Sequence, residues 1–149
     1  MTPLHDTSLD EYARECVQID RHDLQGEFMR VAADLAYWNE QYAAAYGAHT
    51  RSKLEAERIE AELRIAVRER LEDAGKKTTE SMVDANVTRH KTYLAARAAQ
   101  IDAEEAKVRL GGYLDAIRAK REMLISLGAM VRSEMRADPT ILEPRPAPL

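Results

Sequence analysis

Aromatic residues make up only 5% of this 149-residue chain, although hydrophobic residues make up 45% of it. Aromatic rings contribute much of the area buried in thick globular cores, so the sequence argues against a core of that kind. The apolar residues are dominated by alanine, and charged residues make up 32% of the chain. This composition is typical of long helices and coiled coils.

Cysteine, glycine and proline are also scarce. The single Cys16 excludes an internal disulfide framework and fits a reducing compartment. Few glycines or prolines precede residue 139, so little interrupts a helix before that point. The N-terminus lacks a signal-peptide pattern, and no apolar run approaches the length of a transmembrane helix. We therefore expect a soluble intracellular protein.

The net charge of −4 is unevenly distributed along the chain. Residues 1–23 hold six acidic residues against Arg14 and Arg21, which leaves 20 basic and 20 acidic residues in the remainder. The sequence therefore predicts an acidic N-terminal segment, suited by its charge to contacts with protein partners, on a neutral body. Local basic clusters govern anion binding more than net charge does, so nucleic acid stays a candidate ligand.

Apolar periodicity predicts an all-α fold in one domain, residues 1–138. The spacing indicates a short helix over Leu9–Ile19 and a long helix over residues 24–74, with Asp20 or Asp23 as its N-cap. Gly75 is expected to end the long helix in the left-handed conformation.

A second long helix is predicted over residues 79–137, capped by Thr78 or Thr79 and relaxed near residues 86–88 and at Gly111-Gly112. Two long helices joined by a short turn indicate an antiparallel hairpin. The proline-punctuated residues 139–149 are expected to be a disordered tail.

Heptad spacing gives each long helix an apolar seam. From Leu24 through Trp38, apolar positions alternate four and three apart, and the same frame places Arg70 where an apolar residue is expected. The seam of the second helix is interrupted by Arg121 and Gly128. We expect these long, narrow seams to be completed by self-association, through Leu110, Leu114, Ile117, Leu124, Val131 and Met135.

No residue constellation in the chain indicates catalysis or a bound cofactor. The four histidines lack the helical spacing of metal ligands. Gly75-Lys76 lacks the upstream glycine of a phosphate-binding loop, and Cys16 has no evident histidine partner. The sequence therefore predicts neither an enzyme nor a metal site.

Basic residues gather where a hairpin would bring the end of the first long helix beside the start of the second. Convergent cations bind phosphate backbones without sequence preference because each neutralised phosphate releases a counterion. The more common outcome for charge runs is a solvated face, here paired with nearby glutamates. Four aromatic residues could stack on bases, namely Tyr37, Trp38, Tyr42 and Tyr46, although the seam positions of Trp38 and Tyr42 favour packing. The candidate DNA-binding residues are Arg64, Arg68, Arg70, Lys76, Lys77, Arg89 and Lys91.

Several short motifs occur in a characteristic order. They are L-D-E-Y from Leu9, Y-W-N from Tyr37, R-I-E-A from Arg58, A-V-R-E-R-L from Ala66, T-E-S-M from Thr79 and L-D-A-I-R from Leu114. Together they resemble the phage recombination mediator family typified by UvsY, over about residues 9–137. The chain departs from that family by about one extra heptad between Trp38 and Arg58, by its acidity and by its proline-rich tail.

The resemblance implies an all-helical protein that forms a homo-oligomeric ring, for which the family suggests seven subunits. It implies binding to single-stranded DNA and loading of a RecA-like recombinase while a single-strand-binding protein is displaced, in the cytoplasm of an infected bacterial host. By position, Arg68 and Arg70 would contact the DNA, and the double substitution to alanine is expected to abolish binding. The alternative is a coiled-coil structural or scaffolding protein of a phage virion, in which the basic residues form only surface ion pairs.

Overall fold

A computed structural model describes residues 7–137 of the chain. This part is 88% helix and contains no strand. Its helices are α1 (Thr7–Cys16), α2 (Leu24–Asp73), α3 (Glu80–Thr88) and α4 (Lys91–Ala137). The predicted all-α class is confirmed. The predicted tail, residues 139–149, lies outside the described residues.

The first helix is shorter than predicted, because it ends at Cys16 and not at Ile19. Asp20 starts a turn instead, in which its carboxylate accepts the His22 N–H at 2.8 Å. The next helix, α2, begins at Leu24. Asp23 caps it by accepting the Gly26 N–H at 3.0 Å, which settles the choice between the two predicted capping residues.

The predicted left-handed glycine is confirmed at the end of α2, where Gly75 has a φ of 65°. The Gly75 N–H donates to the Glu72 carbonyl at 2.9 Å, and the Lys76 N–H donates to the Leu71 carbonyl at 3.1 Å. These two bonds form a Schellman motif, which satisfies the last carbonyls of the helix. Thr79 then caps α3 as predicted, because its hydroxyl accepts the Met82 N–H at 3.3 Å.

The prediction of one helix over residues 79–137 is wrong, because α3 ends at Thr88 and α4 begins at Lys91. Two side chains just before the break bond to backbone carbonyls and compete with the helical ladder. Asn86 donates to the Met82 carbonyl at 2.8 Å, and Thr88 donates to the Asp84 carbonyl at 2.9 Å. The predicted relaxation at Gly111-Gly112 does not occur, since α4 runs through both glycines.

The chain divides into two compact units. The described part of unit 1 is residues 39–112, and that of unit 2 is residues 7–38 and 113–137. Within unit 1, Lys107 Nζ lies 3.4 Å from His49 Nδ1. A Cβ at Gly111 would lie 3.3 Å from the Tyr42 ring. Later residues of α4 thus face earlier residues of α2, so the two helices run antiparallel in this unit, as predicted.

Unit 2 is built around Trp38, which is fully buried. Tyr12 of α1 stacks on the Trp38 ring with centroids 5.9 Å apart. Tyr113 of α4 meets the same ring edge-on at 5.4 Å, and its hydroxyl donates to Asp10 at 2.6 Å. The predicted packing role of Trp38 is therefore confirmed.

A buried ion pair joins α2 and α4 in unit 2, and its lysine also contacts the end of α1. Lys120 Nζ lies 2.6 Å from Glu27 Oε2, with side chains only 4% and 7% exposed. The ammonium also donates to the Cys16 carbonyl at 2.7 Å. Burial alone would raise the pKa of Glu27, but hydrogen bonds from Lys120 and from the Asp20 backbone outweigh it and lower that pKa. The predicted seam of α4 placed Arg121 at a buried position, whereas Lys120 is the buried residue and Arg121 is exposed.

Candidate nucleic-acid interface

Four buried apolar side chains hold α3 against the end of α2 in unit 1. Val67 and Leu71 of α2 pack with Val83 and Val87 of α3, and Leu63 and Tyr93 border this cluster. Because α3 is short, its position depends on this packing more than on helix propensity. The cluster therefore brings the last turns of α2, the Gly75 turn, α3 and the first turn of α4 together.

The seven predicted DNA-binding residues all lie around this cluster, and we call them the cationic end. Over residues 64–91 they are accompanied by five acidic residues, which leaves a local net charge of +2. The structure divides the seven into cations that are already ion-paired and cations that are not. The members of the cationic end are Arg64, Arg68, Arg70, Lys76, Lys77, Arg89 and Lys91.

Arg64 and Arg68 are ion-paired with carboxylates of α3. Arg64 lies 2.7 Å from Asp84 and 3.6 Å from Glu80, and it also reaches Glu60 of its own helix at 3.4 Å. Asp84 is the main cause of a raised pKa of the Arg64 guanidinium. Arg68 lies 2.6 Å from Glu80. These contacts tie α3 to α2, and the charges of both arginines are largely balanced within the protein.

Arg70 does not occupy the buried seam as predicted, because its side chain is exposed. The buried residues of these turns are Val67 and Leu71, at 5% and 6% exposure. A straight helix drifts by about 20° per heptad against a 3.5-residue repeat, so after the six heptads from Leu24 the seam shifts by roughly one residue position. Arg70 instead donates to the neutral Asn86 amide oxygen at 2.8 Å and keeps its full charge.

The remaining four cations are exposed and make no ion pair with any residue between positions 7 and 137. Lys76 and Lys77 follow the left-handed Gly75 at the C-terminus of α2, where the helix dipole favours positive charge. Arg89 and Lys91 flank the break between α3 and α4. The structure thus offers five cations for an external anion, namely Arg70, Lys76, Lys77, Arg89 and Lys91.

The residues predicted to mediate oligomerisation are mostly buried within the protomer. Leu114, Ile117 and Leu124 are at most 3% exposed, and Leu110 is 9% exposed. They form the face of α4 that packs within the protomer. One hairpin therefore buries more of this apolar seam than the sequence predicted. Val131 is half-buried. Only Met135 of the predicted set, at 59% exposure, is open to a partner.

Tyr37 is not arranged as a platform for stacking bases, whereas Tyr46 is 55% exposed. Tyr37 meets both Tyr12 and Trp38 edge-on, at 5.5 and 5.2 Å, within the packing of unit 2. Near the cationic end, Tyr93 borders the apolar cluster and lies under the Arg97 guanidinium at 5.8 Å. Phosphate contacts, and not base stacking, are the chemistry that this surface offers.

Sequence reasoning missed the carboxylates that neutralise two of the predicted cations. Glu80 and Asp84 are four residues apart, so they share one face of α3. Arg64 and Arg68 have the same spacing on α2. Because both pairs have the same spacing, and an antiparallel turn at Gly75 was predicted, the sequence could have indicated ion pairs between the two helices.

Comparison of the chain with family models, with curated proteins and with solved structures gives no match. No helix within residues 7–137 is both long and apolar enough to cross a membrane. The same residues contain no cluster of three potential metal ligands from histidine, cysteine, aspartate and glutamate.

Unit 2 contains a separate apolar cavity of about 610 Å³. Val17 and Ile19 line one side of it, and Met123, Leu127 and Met130 line the other. None of the cationic-end residues borders this cavity, so its chemistry is distinct from that of the candidate interface.

Proposed function

We propose that this protein is a non-enzymatic phage recombination mediator that binds single-stranded DNA through its cationic end. One observation carries the proposal: five exposed cations without a carboxylate partner gather around the cluster of Val67 and Val83. Each phosphate that such a cation neutralises releases a counterion, which favours binding without reading base sequence. The ordered motifs that resemble the UvsY-type family support the same assignment.

In this proposal the protein acts on single-stranded DNA covered by a single-strand-binding protein, in the cytoplasm of an infected bacterial host. It holds the strand by its backbone, so that the bases stay available to a RecA-like recombinase. Several protomers in a homo-oligomeric ring would present many weak phosphate sites to one strand, and linked sites gain affinity through effective concentration. The modest net charge of +2 at each cationic end makes binding by one protomer weak, and this multiplicity raises the affinity.

The loading activity is tested by the DNA-dependent ATPase of a RecA-like recombinase on single-stranded DNA that a single-strand-binding protein covers. The protein is expected to shorten the lag before ATP hydrolysis begins. An unchanged lag over the whole range of added protein would refute the mediator role, even if the protein binds DNA.

The two arginines that the resemblance assigns to DNA contact are expected to contribute unequally. Arg70→Ala removes an unpaired cation, so the slope of log affinity against log salt is expected to become shallower by about 0.7. Arg68→Ala removes a cation that Glu80 already holds at 2.6 Å, so the slope is expected to stay nearly unchanged. Fluorescence anisotropy with a labelled oligonucleotide measures both slopes, and equal losses would show that Glu80 releases Arg68 to the DNA.

A second candidate, a structural or scaffolding protein of a virion, is favoured by the ion pairs of Arg64 and Arg68. In that role the cations serve only to tie α3 to α2. A gel shift with a single-stranded oligonucleotide at moderate salt, paired with light scattering for mass, separates the two functions. An oligomer that does not shift DNA would support the scaffold.

A further inference from the structure

A row of exposed apolar side chains runs along α4 in unit 1. Leu94, Ile101 and Val108 are 54%, 56% and 64% exposed, and they are spaced seven residues apart. We call these three residues the apolar row. Ala98, between Leu94 and Ile101, and Gly112, four residues after Val108, lie on the same side of the helix. Both are also exposed.

The apolar row lies opposite the face of α4 that packs within unit 1. Ala96 and Leu110, each two residues beyond a row member, are only 9% exposed, and two residues correspond to about 200° around a helix. The packing of the protomer therefore uses one face of α4 and leaves a second apolar face in solvent. A sustained seven-residue spacing is the pattern by which helices pair as coiled coils.

We propose that a second copy of this chain docks on the apolar row, with the two α4 helices parallel and in register. Each row member then meets its own counterpart at a d-type position of the heptad. Ala98 and Gly112 fall at the intervening a-type positions, where small residues allow close approach. Glu105 is the one charged residue of this seam between Leu94 and Gly112, and it opposes association. Lys91 falls at the preceding a-type position and also opposes it.

Charge complementarity selects the parallel arrangement. In a parallel pair, each g-type residue beside the seam faces the e-type residue five positions later in the other chain. Arg97 then faces Asp102, and Glu104 faces Arg109, so both kinds of contact join opposite charges. The antiparallel register that overlaps the whole apolar row would bring Asp102 against Asp102 and Glu104 against Glu104, which is repulsive.

The parallel arrangement has a consequence that rests on the proposed function. The apolar row starts at Leu94, directly after Arg89 and Lys91, so parallel pairing brings two cationic ends to the same end of the assembly. One strand of nucleic acid would then meet ten unpaired cations, where a single protomer offers five. Self-association at this row would thereby regulate affinity for the strand.

The proposal is tested by sedimentation velocity over a range of protein concentrations. The apolar row has only three large side chains, and Glu105 on the same seam opposes pairing, so the wild type is expected to dimerise only at micromolar or higher concentration. Ile101→Glu is expected to weaken association at least 10-fold, and Glu105→Leu is expected to strengthen it. The matched control is Ile65→Glu on α2, which changes a side chain that is 57% exposed and is expected to leave association unchanged.

Cysteine cross-linking tests the register. Ala98→Cys is expected to give a disulfide-linked dimer under mild oxidation, since residue 98 faces its own counterpart only in the parallel register. Ala61→Cys, at an exposed alanine of α2, is the control and is expected to stay monomeric.

Three results would overturn the proposal: a wild type that stays monomeric at hundreds of micromolar, equal association of Ile101→Glu and the wild type, or equal cross-linking of the two cysteine variants. DNA binding is measured separately on Ile101→Glu. If only the dimer fails, the monomeric variant still binds a short oligonucleotide. If the proposed function fails, neither the wild type nor this variant binds it.

Discussion

Replacing Lys76 and Lys77 with glutamate is expected to lower affinity for a single-stranded oligonucleotide by on the order of 30-fold or more at low salt. Both lysines are exposed, and neither forms an ion pair with a described residue. The double substitution changes the local net charge of residues 64–91 from +2 to −2. The cationic end would then repel phosphates, and no other element of unit 1 offers a comparable group of unpaired cations in the described residues.

The matched control is the double substitution Arg51→Glu with Lys53→Glu. Both residues are exposed on α2, and they lie roughly 33 Å along the helix from Gly75. This control changes the net charge of the protein by the same amount at a distant place. Circular dichroism should show full helix content for both variants. If both lower affinity equally, overall charge and not the cationic end governs binding.

Replacing Lys120 with alanine is expected to destabilise the protein by about 3–5 kcal/mol, because it leaves the Glu27 carboxylate buried without its cation. The ammonium lies 2.6 Å from that carboxylate and 2.7 Å from the Cys16 carbonyl. Its removal therefore costs a charge partner and a hydrogen bond that holds the end of α1. Urea unfolding followed by circular dichroism measures the loss.

The control for this prediction removes both charges. Lys120→Met combined with Glu27→Leu leaves no isolated buried charge, so it is expected to recover most of the stability that Lys120→Ala loses. Arg121→Ala, one residue further along α4, removes an exposed cation and should change stability by less than about 0.5 kcal/mol. A small loss for Lys120→Ala would mean that water reaches Glu27 and that the pair is not structural.

Local chemistry made much of the fold predictable. The left-handed role of Gly75 could be read directly because it acts on adjacent backbone groups. The caps of α2 and α3 were each narrowed to two nearby candidates, of which Asp23 and Thr79 are the capping residues. Trp38 was predictable as a packing residue because it lies on a clear apolar seam. The break at Arg89 and His90 was harder to place, since it is marked only by the bonds of Asn86 and Thr88 to backbone carbonyls, and both residue types also occur inside helices.

The residues of the candidate site were predictable from the sequence, but their ion pairs were not. All seven cations were identified from their position near a turn, and the structure brings them to one end of unit 1. Which of the seven cations lack an ion pair depends on contacts between helices, such as that of Arg64 with Asp84. Sequence spacing alone does not determine these contacts. The register of Arg70 was wrong for a different reason, because a fixed heptad frame accumulates error over a long, straight helix. Arg121 was placed on the seam of α4, whereas the neighbouring Lys120 is the buried residue.

The salt dependence of single-stranded DNA binding tests whether the cationic end binds a phosphate backbone. Anisotropy titrations of the wild type from about 50 to 200 mM salt should give a log–log slope of roughly −2 to −3.5, as expected for three to five phosphate contacts with a single strand. The slope should become shallower in the Lys76→Glu, Lys77→Glu variant. Absence of binding at 50 mM salt, or a slope near zero, would contradict the account.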